Sequence, residues 1–254
     1  MNTFMYLGVG GAFSQTFFQS NAVLKVGGKQ LLIDAGGDIR RSLAAAGIAL
    51  ADLDGVYVTH THSDHWGGAE YLAFCSYFNP NFVNPDGSKR RLKLFAHADV
   101  RAGLWNGMAG NVVLAHKATE LTDFFDVVAF DGLEFDWEGT RFTTVKVTHC
   151  IDNGAPMPVY GLTWKSQSGL TVWFSGDAIL DRSQPLFATA DVIFHDCETA
   201  PIATGVHAHY KELLTLPDSV RSKVTLYHYS DGVKPDCKAD GFAGWAAQSA
   251  PIPL

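Results

Sequence analysis

Gly55-Val-Tyr-Val-Thr59 followed by His60-Thr-His-Ser-Asp-His65 is the stretch that decides the fold. The first run is short, apolar and β-branched, with Asp54 before it, so it reads as a buried strand. The second places three imidazoles and a carboxylate within six positions at that strand's end. A solvated histidine-rich turn is the bland alternative, and it leaves the spacing unexplained. Two residues apart in an extended segment, His60 and His62 point the same way and can reach one ion. Asp64 and His65 lie further along the turn and aim at a second. Gly67 and Gly68 follow, and Ala69 to Phe78 has the apolar spacing of a helix. The cluster therefore sits on a strand-to-helix turn, where side chains can converge without disturbing a core.

Two ions need more ligands than this run provides. Thr143 to Thr148 alternates as a strand and ends at His149. Leu170 to Phe174 runs into Ser175-Gly176-Asp177, and Val224 to Tyr227 stops at His228. Alone, each would be a satisfied core histidine or a turn aspartate. With the cluster present they become candidate ligands.

The remaining chain reads as one α/β domain over residues 1–254. Strands are expected at 3–7, 21–26, 30–34, 126–130, 141–148, 159–164, 191–194 and 223–227, with helices at 38–46, 98–105 and 208–215. Two sheets packed face to face with helices outside fit this order. Residues 79–93 form a Pro/Gly/Asn-rich loop expected to be mobile or to serve a partner contact. The turn-rich tail beyond Asp231 is expected to lie over the domain.

At 254 residues and 47% hydrophobic, the chain can bury a sizeable core. It shows no run long enough to cross a membrane and no basic-then-apolar leader, so the expected address is the cytoplasm. Cys75, Cys150, Cys197 and Cys237 are widely spaced and fit reduced thiols. Cys150 adjoins His149 but should face the other way, and it is read as structural. Net charge is −7, and the only basic run is Lys89-Arg90-Arg91 with Lys93. Both observations argue against a partner as polyanionic as extended nucleic acid.

HTHSDH at 60–65, the isolated His149, Ser-Gly-Asp at 175–177 and the late His228 together resemble the metallo-β-lactamase fold, and in particular its RNase Z-like phosphodiesterase branch. The match spans nearly the whole chain. It implies an αββα sandwich of two mixed sheets. His60, His62 and His149 would hold one divalent cation, Asp64, His65 and His228 the other, with Asp177 bridging. Zinc is the first choice, and manganese or iron would also suit. Leu31-Leu-Ile-Asp34-Ala-Gly36 is similar to the family's first motif, whose aspartate orients a ligating histidine. The resemblance also implies a proton-donating pair, for which Asp196 and His207 are favoured over the nearby Glu198 and His209.

The arm with which the branch's transfer-RNA processing members grip their substrate has no room between His149 and Asp177. Leu31 to Asp38, Phe194 to Thr199, Val206 to Leu213 and Leu226 to Tyr229 are more particularly similar to the anti-Pycsar proteins of phage and their bacterial relatives. That resemblance implies hydrolysis of 3′,5′-cyclic nucleotides to nucleoside monophosphates by a homodimer, in the host cytoplasm if the source is a phage. An RNase Z-like endonuclease, or a hydrolase of another small phosphodiester, is the alternative.

Overall fold

Alternation along each strand sends neighbouring side chains to two different cores, and that builds the architecture. The computed structural model describes residues 2–112, 120–130, 132–152 and 154–254. The strands are β1 (Thr3–Gly8), β2 (Asn21–Val26), β3 (Lys29–Ile33), β4 (Gly55–Tyr57), β5 (Leu92–Phe95), β6 (Phe125–Val128), β7 (Glu134–Trp137), β8 (Thr140–Val147), β9 (Ile151–Asp152), β10 (Ala155–Pro156), β11 (Val159–Lys165), β12 (Thr171–Phe174), β13 (Val192–Asp196), β14 (Val224–Tyr227), β15 (Gly244–Trp245) and β16 (Pro251–Pro253). One seven-stranded sheet has the order β16-β1-β2-β3-β4-β5-β6 and the other β15-β14-β13-β12-β11-β8-β7, while β9 and β10 form a small hairpin. Both sheets are mixed. β3 to β6 run parallel in the first, and β12 to β15 run parallel in the second.

Phe4, Tyr6, Leu24, Ile33 and Tyr57 from the first sheet meet Phe142, Leu162, Phe174, Phe194 and Tyr227 from the second in a core between the sheets. Phe4 and Phe194 stack across it with centroids 4.4 Å apart. The intervening residues Val23, Leu32, Val56 and Val58 point outward. They are covered by α1 (Ile39–Ala45), α3 (Ala69–Phe78) and α4 (Ala98–Val112). On the opposite outer face Trp173, Ile193, Val224 and Leu226 pack under α5 (Leu186–Thr189) and α6 (Tyr210–Leu213). The short α2 (Ser63–Trp66) follows β4, and α7 (Asp218–Arg221) precedes β14. Helices outside and two sheets inside give the αββα sandwich that the resemblance implies.

Several local expectations shift. Leu92–Phe95 is a strand, so the segment read as a loop to residue 93 ends in the first sheet. That segment is also held in place, with Phe82 buried and the Arg90 guanidinium bonded to the carbonyls of Ala51 and Leu53. The helix expected at 98–105 continues to Val112. The one expected at 208–215 shortens to Tyr210–Leu213, because His209 caps it by accepting from the Lys211 backbone amide. The tail contributes an edge strand to each sheet.

Candidate metal centre

Carboxyl ends of parallel strands are where α/β sheets present their chemistry. Asp34 follows β3, His60 lies just beyond β4, Asp177 follows β12, Asp196 ends β13 and His228 follows β14. β8 points the same way as β12, being antiparallel to β11 as β12 is, and it delivers His149. All seven residues read as ligands come together at this edge, in two adjoining sets.

In the first set His62 Nδ1 lies 3.0 Å from His60 Nε2 and 3.2 Å from His149 Nε2. In the second, Asp177 Oδ2 lies 3.2 Å from His65 Nε2 and 3.3 Å from His228 Nε2. Asp64 Oδ2 is 3.4 Å from His65 Nε2 and 3.3 Å from His228 Nε2. A tetrahedral zinc site with bonds of about 2.0–2.1 Å has ligand-to-ligand edges of roughly 3.3–3.4 Å. The second set has that spacing already, and the first is slightly tighter. Asp177 Oδ2 also lies 3.9 Å from His60 Nε2 and 4.0 Å from His149 Nε2, so one carboxylate faces both sets.

Burial tests whether a cation fits. Both Asp177 oxygens and His65 Nε2 are buried without a hydrogen-bond partner. A buried carboxylate whose contacts are imidazoles at 3.2–3.3 Å is costly, and a divalent ion between them would satisfy both. The protonation tendencies agree. Burial holds the His60 imidazole well below its ordinary pKa, with the neighbouring His65 adding to the effect, and burial also lowers His62 and His149. These three present lone pairs. Burial disfavours a charged His65 too, but Asp177, Asp64 and Asp34 outweigh it and raise its pKa. Positive charge is what this corner lacks.

Outer partners fix which nitrogen each imidazole offers. His65 Nδ1 bonds Asp34 Oδ2 at 2.8 Å, and His149 Nδ1 donates to the Val206 carbonyl at 2.6 Å. Thr59 donates its backbone amide to Asp34 Oδ1 and its hydroxyl to Asp34 Oδ2, and the same hydroxyl lies 3.0 Å from His60 Nδ1. Asp34 at φ 62° and His228 at φ 63° both hold left-handed backbone, a strained state of the kind that clusters at working sites.

His207 Nδ1 lies 2.8 Å from Asp196 Oδ2 and 3.8 Å from Asp177 Oδ2, and its ring stacks on His228 with centroids 4.5 Å apart. Burial opposes a charged His207, but the bond to Asp196 and the charges of Asp177, Asp196 and Glu198 push its pKa up to about 9. The rival pair is committed elsewhere. His209 caps α6 and contacts the Ala200 carbonyl, and Glu198 accepts from the Thr204 amide. A cleft of about 350 Å³, lined by Gly11, Phe13, Thr204, His207 and His228 among others, opens onto this edge. That is within the range of small-molecule sites.

The family model for anti-Pycsar protein Apyc1 matches residues 2–252. The chain belongs to the anti-Pycsar Apyc1 family. Its relatives of that name include a protein of Paenibacillus xerothermodurans, 32% identical over 89% of this chain and 86% of the relative. One from Bacillus phage 010DV004 is 30% identical over 95% of this chain and 94% of the relative. Among solved structures, the metallo-β-lactamase fold protein YhfI from Bacillus subtilis superposes with a TM-score of 0.73 at 18% identity, covering all of both chains. Together with the His/Asp clusters, family and fold make this member a metal-dependent hydrolase.

The sequence did not single out Thr59, the Val206 carbonyl or Phe13. Thr59 was discoverable as the strand residue before the cluster. A backbone acceptor such as Val206 leaves no side-chain signal.

Proposed function

We propose that residues 1–254 act as one unit, a dinuclear-metal phosphodiesterase that hydrolyses 3′,5′-cyclic nucleotides to nucleoside monophosphates. The observation that carries the reading is the His207–Asp196 pair, 2.8 Å apart, beside the ligand cluster of an anti-Pycsar family member. His60, His62 and His149 would hold one cation and Asp64, His65 and His228 the other, with Asp177 shared. When bound, such cations lower the pKa of water and polarise phosphoryl oxygens.

The chain's own residues do the rest. Asp196 takes the Nδ1 proton of His207 in a hydrogen bond, which orients the ring and leaves Nε2–H for the departing ribose oxygen. That oxygen develops negative charge as its bond to phosphorus breaks, and a proton from His207 neutralises it. Asp34 and Thr59 keep His65 and His60 from rotating away. A cleft of about 350 Å³ suits a mononucleotide. Among the described residues between His149 and Asp177 the chain forms the β9–β10 hairpin, β11 and β12, and none of these is a protruding arm to grip RNA.

Zinc is the proposed metal, a homodimer the proposed assembly, and the cytoplasm the proposed location, a compartment that keeps cysteine thiols reduced. No helix among the described residues is long and apolar enough to cross a membrane. Incubation of purified, metal-loaded protein with cyclic AMP, cyclic CMP, a linear dinucleotide, a precursor transfer RNA and a lactone tests the reading. Nucleoside monophosphate from the cyclic substrates alone is expected. Preferential cleavage of the transfer RNA or the lactone would refute it.

A further inference from the structure

An almost fully exposed aromatic residue stands at the cleft beside the candidate ligands. Phe13 is 95% exposed, although it lies on a loop that is fastened at many points. The Gly11 amide donates to the Tyr229 carbonyl, and a Cβ built on Gly11 would sit 3.3 Å from the His228 ring, so the loop rides directly on a candidate ligand. One turn on, the Asp231 carboxylate accepts from the Ser14 and Thr16 hydroxyls and from the Gln15 and Thr16 amides. The Lys234 ammonium lies over the Tyr229 and Phe17 rings at 3.6 and 4.9 Å, closing the base of the loop. The backbone is thus anchored on both sides of Phe13, and Phe13 is among the residues lining the cleft that His207 and His228 also line.

Ile151, Ile202 and Val233 are also exposed, but they are aliphatic and do not line the cleft. Among the described residues the other exposed aromatics, Tyr77 and Phe78, pack at the end of α3 against each other and against Phe74 and Phe124.

We propose that Phe13 is the stacking platform for the nucleobase, a specificity-determining residue that binds the base's π-face while the phosphate lies at the cluster. The proposal rests on the cyclic-nucleotide reading above and names how that substrate is gripped. Stacking accepts any base, because each has a π-face, so tolerance among bases follows. The anchoring by Asp231 holds the loop backbone that carries Phe13 in place before substrate arrives, which reduces the ordering cost of binding.

The test compares wild type, Phe13→Ala and Phe13→Trp on cyclic AMP, cyclic CMP and the 3′,5′-cyclic phosphate of 1-O-methylribose, which lacks a base. Phe13→Ala should raise KM for both nucleotides by roughly ten- to a hundredfold, the loss of one stacked base, with kcat changed far less. Phe13→Trp should restore KM, and the baseless substrate should lose much less than either nucleotide. An unchanged KM for the nucleotides, or an equal loss on the baseless substrate, would overturn the stacking role while leaving the enzyme's activity standing. Wild-type protein that turns over no cyclic nucleotide would overturn the underlying reading, and the assignment of Phe13 with it.

Discussion

Four carboxylates (Asp34, Asp64, Asp177 and Asp196) and six imidazoles gather in one corner, and His60, His65, His149 and His207 each have a named partner that sets how the ring faces. Asp34 and Thr59 act as one unit, since the threonine holds the carboxylate and the carboxylate holds His65. Thr59→Ala should therefore weaken metal affinity by roughly 10–100-fold without removing a ligand, measurable by competition with a chromophoric chelator. Asp177→Asn should deplete both sets of metal, because the same oxygen faces both. His207→Asn is expected to lower kcat by about 10²–10⁴-fold with metal content retained. A parallel loss of metal would place His207 among the ligands instead. The candidate ligands were legible in the sequence because four of them crowd into residues 60–65 and His149, Asp177 and His228 each follow an apolar strand, where alternation gives way to a polar side chain. Asp196 and His207 were less distinct, since Glu198 and His209 have similar spacing. The folded structure separates the two pairs, since His207 bonds Asp196 while His209 caps a helix and Glu198 accepts from the Thr204 amide. Phe13 left no trace, because exposure is a property of the folded surface.

At the scale of elements, the β3 exit and α2 are pressed together to bring Asp34 to His65. A Cβ on Gly36 would lie 2.3 Å from the Asp64 carbonyl oxygen, and one on Gly68 would lie 2.3 Å from that of Gly36. The Ala35 amide bonds the His65 carbonyl at 2.7 Å, and the Gly68 amide bonds the Ala35 carbonyl at 2.8 Å. Gly36→Ala must push these backbones apart, so it should reduce metal content and thermal stability together. Stability equal to wild type with full metal loading would show that the contact can yield. The strands of the site were readable from periodicity, but others were not. Lys93 interrupts Leu92–Phe95 beside a basic run, and its signal merged with the loop before it. Glu-Phe-Asp-Trp at 134–137 alternates clearly, yet it is too short to stand out without its partner β8. Gly107 and Gly110 lowered the helical signal beyond residue 105. There the packing of Leu104, Met108 and Val112 against the first sheet overrides propensity.

For the molecule as a whole, the core between the sheets fixes how their strand ends face each other. Phe194 lies in that core, two residues before Asp196, stacked on Phe4. Phe194→Ala should cost about 3–5 kcal/mol in denaturant unfolding, as other large-to-small aromatic changes in cores do. The expected two-sheet sandwich was legible because its two halves repeat one pattern, parallel strands ending in chemistry. The tail's pairing with β1 and β14 was not legible, because Pro251-Ile-Pro253 has little strand propensity and depends on the edge it joins.

Metal binding should weaken as pH falls below the imidazole range, since bound imidazoles must be neutral and protons compete with the cations. The most direct test of the whole account is the count of divalent ions per chain in well-folded, active protein by elemental analysis. Two are predicted. Full activity with none, or with a single ion, would contradict it.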